Sequence, residues 1–161
     1  MAILIPAHAF GVPASLRPHG VGVQTIYYAS GARSGGGLTT MVSCTNVGNV
    51  AGTIGISLYE FDGSFVCSTF AGAVNRGETR TLSAGAIASM ANVAVCGGSM
   101  QTLHQGHVEI WAQQTETLHW YCTAQLVARA GDPPTALTRL TLFNAAGALP
   151  GDVIFADGFD P

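Results

Sequence analysis

Residues 118–127, LHWYCTAQLV, alternate without a break between side chains that favour a core and side chains that favour solvent. Trp120 and Cys122 fall on the first face, whereas His119 and Tyr121 fall on the second. A period of two is the side-chain period of a β-strand with one buried face. The segment therefore predicts a central strand, with Trp120 in the core, around which the rest of the chain is organised.

Short runs of the same kind recur along the chain. A second strand is predicted at residues 38–46, where Leu38, Val42 and Cys44 share an apolar face. A third strand is predicted at residues 53–61, where the alternation directs Ile54, Ile56 and Leu58 inward. Further strands are predicted at residues 24–29, 64–70, 79–82, 107–113 and 138–144.

Turn residues separate these runs and complete the fold prediction. Asp62-Gly63 between two strands predicts a β-hairpin. The glycine-rich residues 31–37 are expected to form a mobile loop, and residues 84–93 hold at most one helical turn. The pattern predicts an all-β fold, an immunoglobulin-like or jelly-roll-like antiparallel β-sandwich of about eight strands held by disulfides.

The chain of 161 residues is long enough for one domain with a core of its own. Residues 1–20 contain three prolines and are expected to form an extended N-terminal arm, residues 21–147 the β-sandwich, and residues 148–161 a C-terminal tail. The arm carries an apolar run that includes Ile3, Leu4 and Ile5. Such a run is suited to add as a strand to an exposed sheet edge, and we expect the edge of a neighbouring copy.

Four cysteines indicate the compartment. Their spacing fits neither a C-x-x-C redox pair nor a zinc site, and two disulfides are expected, with four free thiols in a cytosolic protein as the alternative. Of the three possible connectivities, Cys44 with Cys122 joins two inward strand positions across the core. Cys67 and Cys96 then form a peripheral link. Disulfides are typical of an oxidising compartment.

Charge excludes some classes of partner. Charged residues make up 9% of the chain, lysine is absent, and six scattered arginines against nine acids give a net charge of -3. Nucleic acid binding needs clustered cations, so it is not expected. No apolar run approaches the roughly 20 residues of a transmembrane helix, and no membrane span is expected. A nearly uncharged exterior associates readily unless a partner covers it, and copies of this chain are the expected partner.

Catalytic and metal motifs are not evident. The chain has no nucleophile elbow, phosphate-binding loop or paired carboxylates, and Glu109 is its single mid-strand acid. His104, His107 and His119 would hold zinc or copper if they converged, but His107 and His119 are expected on polar faces. We therefore expect a non-enzymatic protein with no metal and no cofactor.

Three aromatic residues, Tyr59, Trp111 and Tyr121, fall on the nominally polar faces of their strands. As an exposed stripe, they would stack on carbohydrate rings or be covered by a neighbouring subunit. The alternative is that both faces of these strands are partly buried. The alternation predicts that Trp120 is buried and that Trp111 is exposed unless a partner covers it.

The tail DVIFADGFD, residues 152–160, resembles the D-x-I-F-x-D-G-F-[DE] signature that ends many exported proteins of certain Gram-negative bacteria. The body resembles small secreted bacterial β-sandwich proteins of uncharacterised function, in which a C-T-N strand end precedes a hairpin and a later C-T-A strand. Here these are residues 44–46 and 122–124. The resemblance implies export and a β fold and carries no catalytic residues. Ala7-His8-Ala9 also has the small-x-small pattern of a signal cleavage site.

These observations predict an exported structural or adhesive protein, extracellular or at the cell surface, that self-associates into a filament. The alternative is a monomeric module that binds carbohydrate or another ligand.

Overall fold

The computed structural model describes residues 22–87, 90, 93–96, 102–113, 119–130 and 135–144. The predicted arm, with Ile3, Leu4 and Ile5, and the predicted tail lie outside the described residues. Ten strands are present in the described part: β1 Val23–Gly35, β2 Leu38–Asn46, β3 Gly52–Glu60, β4 Phe65–Val74, β5 Thr79–Ser83, β6 Val93–Val95, β7 Leu103–Gln113, β8 Trp120–Ala128, β9 Ala136–Leu140 and β10 Leu142–Asn144.

The strands form two layers that remain connected through β1. The first layer has the order β4-β3-β7-β1-β10, and the second has the order β9-β8-β2-β5-β6. Most of β1 pairs with β7, and its last residues, Ser34 and Gly35, pair with β2 in the other layer. All strand pairs are antiparallel except β5 with β6. The predicted all-β sandwich is confirmed.

The described strands number ten rather than about eight for two local reasons. The single strand predicted at 138–144 is interrupted at Thr141, so β9 pairs with β8 and β10 pairs with β1. The short parallel strand β6 was not predicted. It begins at Val93, within the segment considered for a helical turn, and the described residues of that segment contain no helix.

The core lies between the two layers and takes side chains from both. In the first layer Ile54, Ile56 and Leu58 of β3 point inward and are almost completely buried, as predicted. Trp120 in the second layer is buried too, which confirms that prediction. Tyr27 of β1 crosses between the layers, and its hydroxyl donates a hydrogen bond to the Trp120 carbonyl at 3.2 Å.

The glycine-rich β1–β2 connection differs from the prediction of a mobile loop. Residues 31–37 were expected to form a mobile loop, but β1 continues through Gly35 and only Gly36 and Gly37 form the turn. Both have positive φ, 58° and 80°, which is the backbone that a two-residue type I′ hairpin requires. The glycines therefore serve a tight turn and the strand that leads into it.

The predicted hairpin between β3 and β4 is present. The Glu60 amide donates to the Ser64 carbonyl at 2.9 Å, and the Gly63 amide donates to the Glu60 carbonyl at 3.0 Å. Gly63 has a φ of 84°, and Asp62 Oδ1 accepts a hydrogen bond from the Ser64 amide. Asp62 and Gly63 thus supply the turn chemistry that the sequence indicated.

The end of the C-T-N motif has a structural role. The Asn46 side chain is buried, its Nδ2 donates to the carbonyls of Val50 and Val74 at 2.8 Å, and its Oδ1 accepts from the Gly48 amide. One amide group therefore fixes the β2–β3 connection against the end of β4.

Two disulfides, Cys44–Cys122 and Cys67–Cys96, have the predicted connectivity. The predicted geometry of the first was wrong, because Cys44 and Cys122 are opposite each other on the paired strands β2 and β8. This bond joins neighbours within the second layer rather than crossing the core. Cys67 on β4 and Cys96 after β6 connect the two layers at their edges.

Candidate functional site

The outer face of the first layer, turned away from the second layer, has an unusually aromatic surface. Strand register aligns its side chains in three rows that cross β1, β7, β3 and β4. The rows are Thr25, Trp111, Gly55 and Phe70; Tyr28, Glu109, Ser57 and Ser68; and Ser30, His107, Tyr59 and Phe65.

Trp111 is covered by its own chain in the first of these rows. Its indole lies across Gly55, where a side-chain Cβ would overlap the ring. Its Nε1 donates to Ser57 Oγ at 3.2 Å, and the Phe70 ring lies 6.3 Å away between centroids. Trp111 is 8% exposed, so the prediction that it is exposed was wrong. The alternation was correct in direction, but the missing side chain at Gly55 allows the indole to lie on the sheet.

Tyr59 is covered in the third row. Its ring is stacked on His107 at 4.9 Å with an interplanar angle of 7°, and Phe65 contacts it edge-on at 5.7 Å. Burial raises the pKa of the Tyr59 hydroxyl, and the charge of Glu109 and a hydrogen bond with it raise this pKa further. Burial also lowers the pKa of His107, against the opposing effect of Glu109.

Glu109 occupies the middle row between these aromatic groups. Thr25 Oγ1 donates a hydrogen bond to Glu109 Oε2 at 3.4 Å, and the Tyr59 side chain also forms a hydrogen bond with the Glu109 carboxylate. Hydrogen bonds from neighbouring hydroxyl groups offset part of the desolvation cost of a carboxylate placed between aromatic rings.

The three outward aromatics do not form the predicted stripe. Tyr59 and Trp111 share the outer face of the first layer, but Tyr121 lies on β8 in the second layer, opposite Thr45. Tyr121 is half-buried. The alternative considered from the sequence was that both faces of these strands are partly buried. This alternative describes the structure at Tyr59 and Trp111.

The three histidines also lie apart. His107 is stacked on Tyr59, whereas His119 lies against Gly48, just before β8 of the other layer. His104 is exposed at the beginning of β7, and its carbonyl accepts a hydrogen bond from Arg33 Nε at 2.9 Å. Among the described residues, no three histidine, cysteine, aspartate or glutamate side chains are grouped as metal ligands would be.

The free edge of β4 is the candidate interaction site. β4 is the outermost strand of the first layer and pairs with β3 alone among the described strands. Its sequence, FVCSTFAGAV, has no charged residue and no proline. Phe65 and Phe70 are 49% and 62% exposed, and Phe61 in the adjoining hairpin is 84% exposed. An uncharged edge strand with exposed apolar side chains is a template for pairing with another strand.

Sequence reasoning missed Phe65 and Phe70. The two residues are five positions apart, so strict alternation directs them to opposite faces. Between Leu58 and Tyr59 of β3 the register shifts by one residue, and the extra residue on β4 is Val66. This bulge turns Phe65 and Phe70 to the same outer face, and alternation alone carries no signal for it.

Comparisons with protein-family models, with curated proteins and with solved structures find no match for this chain. In the described part, no helix has the length and hydropathy needed to cross a membrane.

Proposed function

We propose that this protein is a non-enzymatic, exported structural or adhesive subunit that associates with copies of itself through the free edge of β4. The observation that supports this function is the exposure of Phe65 and Phe70 on a ten-residue edge strand without charge. Natural edge strands are usually shortened, charged or covered, because an open edge pairs with other chains. Here the edge of β4 is long and apolar, as expected for an edge that pairs with a strand of another molecule in the functional protein.

The composition supports a second copy of this chain as the partner that pairs with the β4 edge. The net charge of -3 on 161 residues gives little repulsion between copies. The charged residues closest to β4 in the sequence, Asp62 and Arg76, lie beyond its two ends, and Asp62 accepts a hydrogen bond from the Ser64 amide. Two disulfides support a compartment outside the cytoplasm, where an extracellular or cell-surface subunit would work.

No observation favours carbohydrate binding to the same degree. A stacking platform needs exposed rings, and Tyr59 and Trp111 are 9% and 8% exposed. In the described part of the chain, the exposed large aromatic side chains are Phe61, Phe65 and Phe70, which have no polar group to orient a sugar.

The proposal is tested by placing a lysine on the β4 edge with a matched control on another edge. Phe70→Lys and Leu137→Lys each put one positive charge on an edge strand at a side chain of similar exposure, 62% and 54%. Leu137 lies on β9, an outer strand of the second layer. We expect wild type to associate with increasing concentration in sedimentation velocity and electron microscopy. Phe70→Lys should weaken association at least tenfold, and Leu137→Lys should leave it nearly unchanged.

Two results would overturn the proposal. One is a wild-type protein that stays monomeric at high concentration. The other is equal weakening by both lysine variants, which would indicate a general charge effect. Far-UV circular dichroism and disulfide mapping establish that each variant retains its fold.

A further inference from the structure

We infer that the strand which pairs with β4 is residues 2–5 of the N-terminal arm of a neighbouring copy. This inference rests on the proposed function and adds the partner segment to it. It makes the interface head-to-tail, since each copy supplies one arm and accepts another. Heterologous contacts of this type continue into filaments when the rotation does not close.

The first observation is that the core is incompletely covered along β4. Val66 and Ala71 point toward the core cluster but are only partly buried, whereas Ile54 and Leu58 on the adjacent strand are fully buried. The difference follows from position, because among the described strands β4 is hydrogen-bonded to β3 alone, although the end of β6 approaches β4 at the Cys67–Cys96 disulfide. A strand added beside β4 would cover the inner Val66 and Ala71 and the outer Phe70 together.

The second observation is the match in chemistry. Alternate side chains of an added strand point to opposite faces, so Ile3 and Ile5 would share one face and Ala2 and Leu4 the other. Both faces of this segment are apolar, and both faces of β4 are mostly apolar and carry no charge. No charged residue precedes Arg17 in the sequence.

The other apolar run outside the described residues fits less well. Residues 153–156, VIFA, stand between Asp152 and Asp157. Pairing this run with β4 would bring carboxylates beside an apolar edge, at a cost in desolvation. The N-terminal run has no such charges near it.

The third observation is where the arm leaves the domain. Val23 at the start of β1 is opposite Gln113, at the same end of the first layer at which β4 finishes with Val74. Three strand spacings, roughly 14 Å, separate β1 from the free edge. Residues 6–21, if extended, span up to about 50 Å. Prolines at positions 6, 13 and 18 disfavour helix in this segment. The arm is therefore long enough to reach the β4 edge of a neighbouring copy, which the proposed self-association requires.

A pair of complementary variants tests the inference. Deletion of residues 1–10 removes the donated segment and keeps the β4 edge, whereas full-length Phe70→Lys keeps the segment and blocks the edge. We expect each variant alone to be monomeric under conditions in which wild type forms assemblies. An equimolar mixture should form a one-to-one heterodimer that grows no further, measured by sedimentation velocity and native mass spectrometry.

A charge-matched pair in the full chain controls for the deletion. Ile3→Asp with Ile5→Asp places two carboxylates in the paired segment, and Val12→Asp with Ser15→Asp places two elsewhere in the arm. The first pair should weaken assembly at least tenfold more than the second.

The outcomes separate the inference from the proposed function. If the deletion variant assembles as well as wild type while Phe70→Lys does not, β4 edges pair with each other, the inference is wrong, and the proposed function stands. If wild type is monomeric at high concentration and the deletion variant associates, the arm covers its own edge, so the inference is wrong and the proposed function fails with it. If both wild type and the deletion variant are monomeric at high concentration, the proposed function fails and the inference fails with it.

Discussion

The contact between Trp111 and Gly55 can be tested by a double-mutant cycle. Gly55→Ala adds a Cβ that would lie within van der Waals overlap of the indole ring. β3 has little freedom to move, because Ile54 and Ile56 on either side are completely buried in the core. The ring must therefore tilt and lose its hydrogen bond to Ser57.

The expected magnitudes follow from these contacts. Overpacking costs about 1–3 kcal/mol, and the lost hydrogen bond costs about 1 kcal/mol, so Gly55→Ala should lower the free energy of unfolding by about 2–4 kcal/mol. Trp111→Ala should cost about 3 kcal/mol, at the lower end for a buried aromatic, because Trp111 lies on an outer face. Once the indole is absent, Gly55→Ala should be neutral or stabilising by up to about 1 kcal/mol, since alanine restricts the unfolded chain.

Urea unfolding with both disulfides oxidised, followed by far-UV circular dichroism, measures the cycle. Gly72→Ala on β4 is the matched control, because no atom lies within 4 Å of the position its Cβ would take. It should change stability by less than about 0.5 kcal/mol. Additive effects of Gly55→Ala and Trp111→Ala, or a Gly55→Ala variant as stable as the control, would refute the proposed contact.

Two further predictions concern the disulfides and pH. Replacing Cys44 and Cys122 with alanine removes a link across 78 residues and should lower the free energy of unfolding by about 4.5 kcal/mol. The same replacement of Cys67 and Cys96, which are 29 residues apart, should lower it by about 3.6 kcal/mol. Denaturant unfolding that ranked the two double variants in the opposite order would contradict the chain-entropy argument. Burial lowers the pKa of His107 below 6.5 in the folded protein, so the unfolded chain binds this proton more tightly. The stability that depends on neutral His107 is therefore complete above pH 6.5. It should decline as the pH falls through 6.5 toward the pKa of the folded state. His107→Gln should show a smaller decline between pH 7.5 and 5, and an equal decline in both proteins would assign it to other groups.

The predictable parts of this fold are those that short-range rules determine. The bounds of β2 match the prediction because Leu38, Val42 and Cys44 recur on one face between flanking turns. The Asp62-Gly63 hairpin follows from local backbone preferences. The cysteine pairing was reached because Cys44 and Cys122 both lie on apolar faces, although the sequence did not indicate that their strands are neighbours in one layer.

Other features depend on contacts between strands far apart in the sequence. Alternation assigns Trp111 to a face, but burial of that face depends on Gly55, which lies on a different strand. Residues 31–37 have loop composition, yet pairing with β7 extends β1 through most of them. The Val66 bulge that turns Phe65 and Phe70 to one face is set by register with β3. For this reason the free edge of β4 was recognised only in the structure.

Of the edge strands in the described part, the two longest, β4 and β9, differ in charge, and this difference favours association through β4. β9 carries Arg139 among five residues, which is a common protection of an edge, whereas β4 has ten residues and no charge. An uncharged edge such as that of β4 can associate in two ways. Pairing of two β4 edges about a two-fold axis closes at the dimer, because neither subunit keeps a free edge. Insertion of an arm leaves one arm and one edge free at the ends of every assembly, so growth continues. Sedimentation velocity therefore distinguishes the two, with a single dimer boundary for edge-to-edge pairing and a concentration-dependent series of larger species for arm donation.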